Sequence, residues 1–214
     1  MKILVTGGCG FIGSHMSLKL LEVGHDVVIL DNLSNSSEYA IAAIKKIIGT
    51  EVKFIEADIK DLSALEEIFS KHNFDGVIHF AAAKAISESV IKPEKYYENN
   101  VLGSINLINV MKRNDVRLLV FSSSASVYGD AQEIPISEIA PTLPTNPYGW
   151  SKLITEQILS DLYYSDNSWS ISVLRYFNPI GAHRSGLLGE NPKVSYNIMP
   201  VISDAALEKI PYVK

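Results

Sequence analysis

Six short apolar runs, most of them rich in β-branched residues, punctuate the chain: "KILVT" (2–6), "DVVIL" (26–30), "VKFIEA" (52–57), "GVIHFA" (76–81), "RLLVFS" (117–122) and "SISVLRY" (170–176). They are continuous rather than alternating, the pattern of strands covered on both faces. Between them, helical spacing covers 11–23, 37–48, 61–72, 94–113 and 148–165. Strands that alternate with helices build right-handed crossover units. The pattern therefore predicts an α/β fold, a doubly wound parallel sheet of Rossmann-like type. After residue 177 it stops. "NPIGAHRSGLLGENPKVSYN" reads as a long loop, and one more helix is expected over roughly 197–209.

Composition narrows the classes. The 214 residues, 47% of them hydrophobic and 20% charged, suffice for a substantial core. A net charge of −5 with no basic cluster argues against nucleic acid and anionic membrane as partners. Cys9 is the single cysteine, so neither a disulfide framework nor a cysteine–zinc site is expected. No run is long and apolar enough to span a bilayer, and the start "MKILVTGG" is too short for a signal peptide. A cytoplasmic location is the expectation.

Candidate chemistry collects in two places. The first is "ILVTGGCGFIGSH", between the first strand and the first helix, with Gly7, Gly10 and Gly13 at three-residue spacing and Gly8, Gly10 and Gly13 in the G-x-G-x-x-G register. Glycine lets the backbone turn tightly and approach a pyrophosphate, which the free amides of the helix N-terminus then receive. Asp31 closes the second strand 18 residues past Gly13, near the offset at which a carboxylate meets the adenosine ribose. Such an acid repels a 2′-phosphate, so NAD is expected over NADP. The alternative for Asp31 is a turn-former in "LDNLSN".

The second is "PTNPYGWSKLITEQ" (144–157), where Tyr148 and Lys152 stand four apart on a helix and so on one face. A phenol titrating near ~10 is a poor base at neutral pH. A lysine one turn along, the helix N-terminus and a nicotinamide cation would all favour phenolate. The serine run Ser122, Ser123 and Ser124 ends the fifth strand near the same edge, where at least one hydroxyl is expected to cap backbone. On an exposed helix, the same tyrosine–lysine spacing would carry no chemistry.

In this order the motifs resemble the extended short-chain dehydrogenase/reductase family, in particular its sugar-nucleotide epimerases. The stretches that carry the resemblance are "LVTGGCGFIGSH", "LDNLSNS", "HFAAAKAISESVIKPEKYYENNVLGSINLI", "FSSSASVYGD", "PYGWSKLITEQIL" and "LRYFNPIGAH". The resemblance implies NAD-dependent interconversion of UDP-glucose and UDP-galactose through transient oxidation at C4 of the sugar. It places Phe11, Ile12, Asp31, Asn32, Leu33, Ser34, Asn35 and Ser36 around the cofactor's phosphates and adenosine. Asp58 and Ile59 would lie at the adenine, with Phe80, Ala81, Ala82 and Lys84 along the nicotinamide half. Asn99 and Phe177 would lie near the cofactor. Tyr148 would be the base, Lys152 its electrostatic partner and a ribose ligand, and Ser124 a hydrogen-bond partner of the reacting hydroxyl. Asn178 and Asn197 would touch the sugar nucleotide, although Asn197 also suits a helix N-cap.

The resemblance further implies a homodimer joined through the helices near 94–113 and 148–165. It divides the chain into an NAD-binding domain, 1–177, and the beginning of a smaller substrate lobe, 178–214, because family members continue beyond this length. Dehydratases of the family need an Asp–Glu pair after the serine run, where this chain has Ala125 and Ser126. Trp150 should point away from the tyrosine–lysine face, about 200° round the helix from Tyr148. Cys9 reads as packing, with a reactive thiol as the alternative.

Overall fold

The computed structural model describes residues 1–190 and 197–213. Its centre is a six-stranded parallel sheet formed by β1 (Lys2–Thr6), β2 (Asp26–Asp31), β3 (Lys53–Glu56), β4 (Gly76–His79), β5 (Leu118–Ser124) and β6 (Ser170–Tyr176). The strand order is β3-β2-β1-β4-β5-β6. The order reverses between β1 and β4, and such a switch point opens a crevice at the carboxyl ends of the strands.

The continuous apolar runs have a direct cause. Leu4, Val28 and Leu30 belong to one buried cluster with Leu65, Phe69, Leu107, Met111 and Phe121. Ile3, Val5, Val27 and Ile29 belong to the other, with Leu18, Ala43 and Ile44. Successive side chains of a strand point to opposite faces, so a strand with helices on both sides needs apolar residues at every position.

The first helices are α1 (Phe11–Glu22), α2 (Tyr39–Ile48) and α3 (Leu62–Lys71), the last capped by Asp61, which accepts from the Ala64 amide. The expected single helix over 94–113 is broken up. A short α4 (Ile86–Ile91), unforeseen, precedes α5 (Pro93–Tyr96), a π-helical turn (Tyr97–Leu102) and α6 (Gly103–Arg113). The π-turn shifts the backbone so that the Asn100 side chain turns inward, a side-chain preference that apolar periodicity does not report. Helix α7 (Pro147–Ser165) begins with proline in its first turn, and its N-cap Asn146 accepts from the Gly149 amide at 2.9 Å.

Downstream of β6, an isolated bridge joins Ala182 to Gly189. This segment folds back until Leu188 is buried in the same cluster as Cys9. The long loop predicted over 178–197 thus contains a built strap over 182–190, while residues 191–196 lie outside the described residues. Helix α8 (Ile198–Ala206) follows and buries none of its side chains. Among the described residues, no helix is long and apolar enough to cross a membrane.

Candidate active site

The turn between β1 and α1 is a cradle without room for side chains. Gly7 takes φ +68°, and a Cβ there would lie 2.5 Å from the Ala81 nitrogen. A Cβ on Gly13 would stand 2.2 Å from the Gly7 carbonyl oxygen. Helix α1 starts at Phe11 and Ile12 with no side-chain cap on Gly10, so its first amides are left for another acceptor. A phosphate is the group that suits uncapped amides at a glycine-walled helix end.

Asp31 ties this cradle to the loop after β2. One carboxylate oxygen accepts the Cys9 amide at 3.0 Å, and the other accepts the Leu33 amide and the Ser36 hydroxyl. Three acceptor positions are thus used internally, which fixes the loop and leaves room for one more donor. Leu33 holds φ +55° in the bend. Asn32 donates to Asp58 at 3.1 Å, drawing in the loop after β3, while Ser34 and Asn35 are exposed. A cavity of about 340 Å³ lies here, with Gly10, Phe11, Asn35 and Ser36 on one side and Lys84, Leu188 and Glu190 across from them. Ile59, expected at the adenine, buries its side chain in the core against Gly103. The Cys9 thiol is pushed up to about 12, by burial first and then by Asp31, so it is an inert packing group.

The helix after β5 carries the tyrosine–lysine pair. Lys152 is buried, sends Nζ to the Ser122 carbonyl at 2.6 Å and lies 4.8 Å from the Phe121 ring centre. Burial pushes it down to about 7, against an opposing pull from Glu156. Tyr148 is half-buried, and its ring meets that of the fully buried Tyr96 edge-on at 6.4 Å. Ser124 lowers the Tyr148 phenol, but burial outweighs it and holds the phenol above its ordinary value. The expected lowering by the lysine is not what the protein alone produces, because the ammonium is directed to Ser122. Ser124 also accepts the Ser126 amide at 3.2 Å, the backbone cap foreseen for one serine of the run. Trp150 points outward, 39% exposed.

Other expected residues separate. Phe80 and Ala81 follow β4, with the Phe80 amide on the Thr6 carbonyl at 2.9 Å, and Ala82 is half-buried beside them. Lys84 is exposed and pairs with Glu190 at 3.7 Å. Tyr176, not singled out beforehand, faces Phe80 with ring centres 6.3 Å apart, whereas Phe177 turns towards Tyr128. Phe177 borders an open groove of about 1290 Å³ along β6, which contains neither Tyr148 nor Lys152. Asn178 is exposed, and Asn197, at the N-cap position of α8, donates to Glu190 at 2.6 Å.

The sequence also underrated Asn100 beside Asn99. Asn100 is buried, exchanges hydrogen bonds with both the amide and the carbonyl of Ala83, and donates to Ser151. Asn99 donates to it at 3.0 Å. The loop after β4 is thereby clamped to α7. His79 lies below, with one ring nitrogen 2.6 Å from Thr6 Oγ1 and the other 2.9 Å from Ser104 Oγ. No apolar pattern marks such residues, since their spacing in sequence is set by the fold.

The glycine cradle and the buried lysine share the carboxyl edge of one sheet whose order reverses between β1 and β4. That arrangement defines a Rossmann-type protein of the dinucleotide-fold class. The family model described as GDP-mannose 4,6 dehydratase matches residues 4–214, and the chain belongs to that family. It is 49% identical over 211 residues to a UDP-glucose 4-epimerase of Bacillus subtilis, covering 98% of this chain and 62% of that relative. A Dictyostelium discoideum protein of the same name is 51% identical, with 98% and 61% covered. A solved UDP-glucose 4-epimerase from Bifidobacterium longum, in complex with NAD+ and UDP, superposes with TM-score 0.96 at 48% identity, covering all of this chain and 64% of that one. The chain thus spans about 62% of the length of the curated relatives it matches.

Proposed function

We propose that this chain carries the NAD-binding and proton-transfer half of a UDP-glucose 4-epimerase. The observation that carries the reading is the buried Lys152 with Tyr148 and Ser124, set on the same sheet edge as a glycine cradle whose uncapped amides suit a phosphate. The names of the relatives at about half identity support the substrate class. NAD, when bound, supplies the acceptor and the source of hydride. Gly7, Gly10, Gly13, Phe11 and Ile12 would hold its pyrophosphate, and Asp31 the adenosine ribose, with Asn32 to Ser36 and Asp58 around it. Lys152 would hold the nicotinamide ribose, with Phe80 to Ala82, Lys84 and Asn99 close by.

The chain's own part is to move a proton. Tyr148, as phenolate, takes the proton of the sugar's 4-hydroxyl as C4 loses hydride, giving a 4-keto sugar. It returns that proton when hydride comes back on the opposite face, so the cofactor ends unchanged. Ser124 steadies the reacting oxygen and pulls the phenol down against the burial that holds it high. The turn after β5 carries Ala125 and Ser126 where a dehydratase needs its acid pair, which favours epimerisation over elimination.

Residues 178–214 would begin the sugar-binding lobe, with Asn178 and Asn197 towards the nucleotide sugar and Phe177 by the nicotinamide. A second copy would pack on α5–α6 and α7, where Tyr97, Leu102, Trp150 and Ile154 are exposed. A cytoplasmic setting suits this chemistry. The test is to add UDP-galactose to the NAD-loaded chain and follow UDP-glucose. Tyr148→Phe is expected to keep NAD and to lose at least about a hundredfold in turnover. Undiminished turnover in that variant would remove Tyr148 as the base.

A second reading has its own observation. Val173, Leu174 and Phe177 are exposed along the β6 groove, as on a half-built pocket wall. NAD retention without conversion would identify the chain as a cofactor-binding unit that needs the remaining wall.

A further inference from the structure

Tyr148, Lys152 and Glu156 lie four apart along one face of α7, opposite Ser124, Ser123 and Ser122 at the end of β5. A lysine and a glutamate at that spacing ordinarily close an ion pair along the helix. Here they do not. Lys152 turns to the Ser122 carbonyl, and the Glu156 carboxylate is occupied from the other side. Arg175 Nε lies 3.0 Å from one Glu156 oxygen and Nη2 lies 2.7 Å from the other. The Ser123 hydroxyl also donates to Glu156.

The sheet register explains how both partners arrive together, since Ser123 of β5 pairs with Arg175 of β6. Arg175 is itself pinned. Its other nitrogen donates to the Tyr128 hydroxyl at 3.0 Å and the Glu138 carbonyl at 3.2 Å, and its guanidinium stacks 4.8 Å from the Tyr128 ring centre. The fork is three-quarters buried or better at both ends, where a bidentate arginine–carboxylate pair keeps its geometry.

We infer that Arg175 is a positioning residue for the reacting pair: by occupying both oxygens of Glu156 it keeps that carboxylate from capturing Lys152, leaving the ammonium on the Ser122 carbonyl, one helical turn from Tyr148. The inference rests on the reading of Tyr148 and Lys152 as that pair, but its test does not require turnover. Titratable groups on the elements packed nearby are engaged elsewhere. From β4 the neutral His79 is held by Thr6 and Ser104; from α4, Glu88 is engaged by Lys95 and Tyr96. On α7 itself, Tyr148 lies one turn before Lys152 and Glu156 one turn after.

The experiment is a direct titration of Lys152 in the full 214-residue chain by NMR of ε-carbon-labelled lysine, with the resonance assigned by Lys152→Met. In Arg175→Gln the released Glu156 is expected to raise the Lys152 midpoint by one pH unit or more, a tenfold gain in proton affinity. Adding Glu156→Gln to that variant should bring the midpoint back to the wild-type value or below. A purely structural arginine would give no such rescue. An unchanged midpoint in a folded Arg175→Gln chain overturns the inference. If Arg175→Gln does not fold, Glu156→Gln alone decides. A fall of less than half a unit fits a carboxylate already neutralised by Arg175, and a fall beyond one unit shows Glu156 acting on Lys152 directly and overturns it. Failure of Tyr148→Phe to affect turnover would sink the catalytic reading and leave these midpoints as they are.

Discussion

Strands β1 and β6 carry the same kind of apolar sequence and meet opposite fates. In β1, Leu4 and Val5 are fully buried between the two side-chain clusters. In β6, Val173 and Leu174 are 38% and 41% exposed, because the strand is bonded only to β5 and lies at the sheet's edge. A run of valine and leucine therefore specifies a strand and its two-sided appetite for cover, not whether the cover is present. The same contrast divides the proposed function. The glycine cradle and Asp31 are built on β1 and β2 in the middle of the sheet, and the proposed sugar end would begin on the exposed edge.

The sharpest probe of the buried centre is acid. His79 is wholly enclosed under β1 and α6, and burial, aided by the Lys152 charge, pushes it down to about 3 from an ordinary value of 6.5. The unfolded chain takes a proton on this ring below about pH 6.5, while the folded chain refuses it until about pH 3. The stability contributed by the neutral ring is present above pH 6.5 and lost as the pH falls towards 3. One proton sets a slope of about 1.4 kcal/mol per pH unit, so the loss approaches roughly 5 kcal/mol at the acid end. Denaturant melts between pH 6.5 and 5, where most carboxylates are still ionised, should show that slope, and His79→Gln should flatten it. An equal slope in the variant would place the proton elsewhere.

Next in size is the contrast of strands itself. Leu4→Ala should cost about 2–5 kcal/mol, since it empties a site packed on all sides. Val173→Ala removes a smaller, half-wet side chain and should cost less than about 1 kcal/mol. Comparable losses in urea melts would mean that β6 is covered in solution, as it would be if a second chain or added polypeptide lay along its groove.

Legibility in the sequence follows the same division. The strands, α1, α7 and the glycine cradle were readable because each rests on local rules: two-sided burial, proline in a first turn with Asn146 before it, and glycine where a Cβ collides. The tyrosine–lysine pair was readable because four-residue spacing is itself geometry. Asn100, His79, Glu156 and Arg175 were not, since each gains its meaning from a partner 17 to 73 residues away that only the sheet order brings near. Ile59 shows the complementary limit, because sequence does not say which way its side chain turns. It follows Asp58, which does reach the loop after β2, but its own side chain turns into the core against Gly103.

The smallest effect is expected at the strap over the cavity beside the glycine cradle, where two anchors of different kind can be compared. Leu188 is buried beside Cys9, and Glu190 reaches Lys84 at 3.7 Å. The Lys84 side chain is half exposed, so solvent and salt screen the pair, and such contacts contribute at most about 1 kcal/mol. Glu190→Gln keeps an acceptor for the Asn197 amide and removes only the charge. It should change stability by less than about 0.5 kcal/mol, with no further change between low and high salt. Leu188→Ala gives up a buried side chain and should cost about 2 kcal/mol or more. The strap is then fastened by its leucine, and Lys84 can leave Glu190 without loosening it. Were Glu190→Gln the costlier change, the fastening would be electrostatic, and Lys84 could not serve the cofactor without opening the strap.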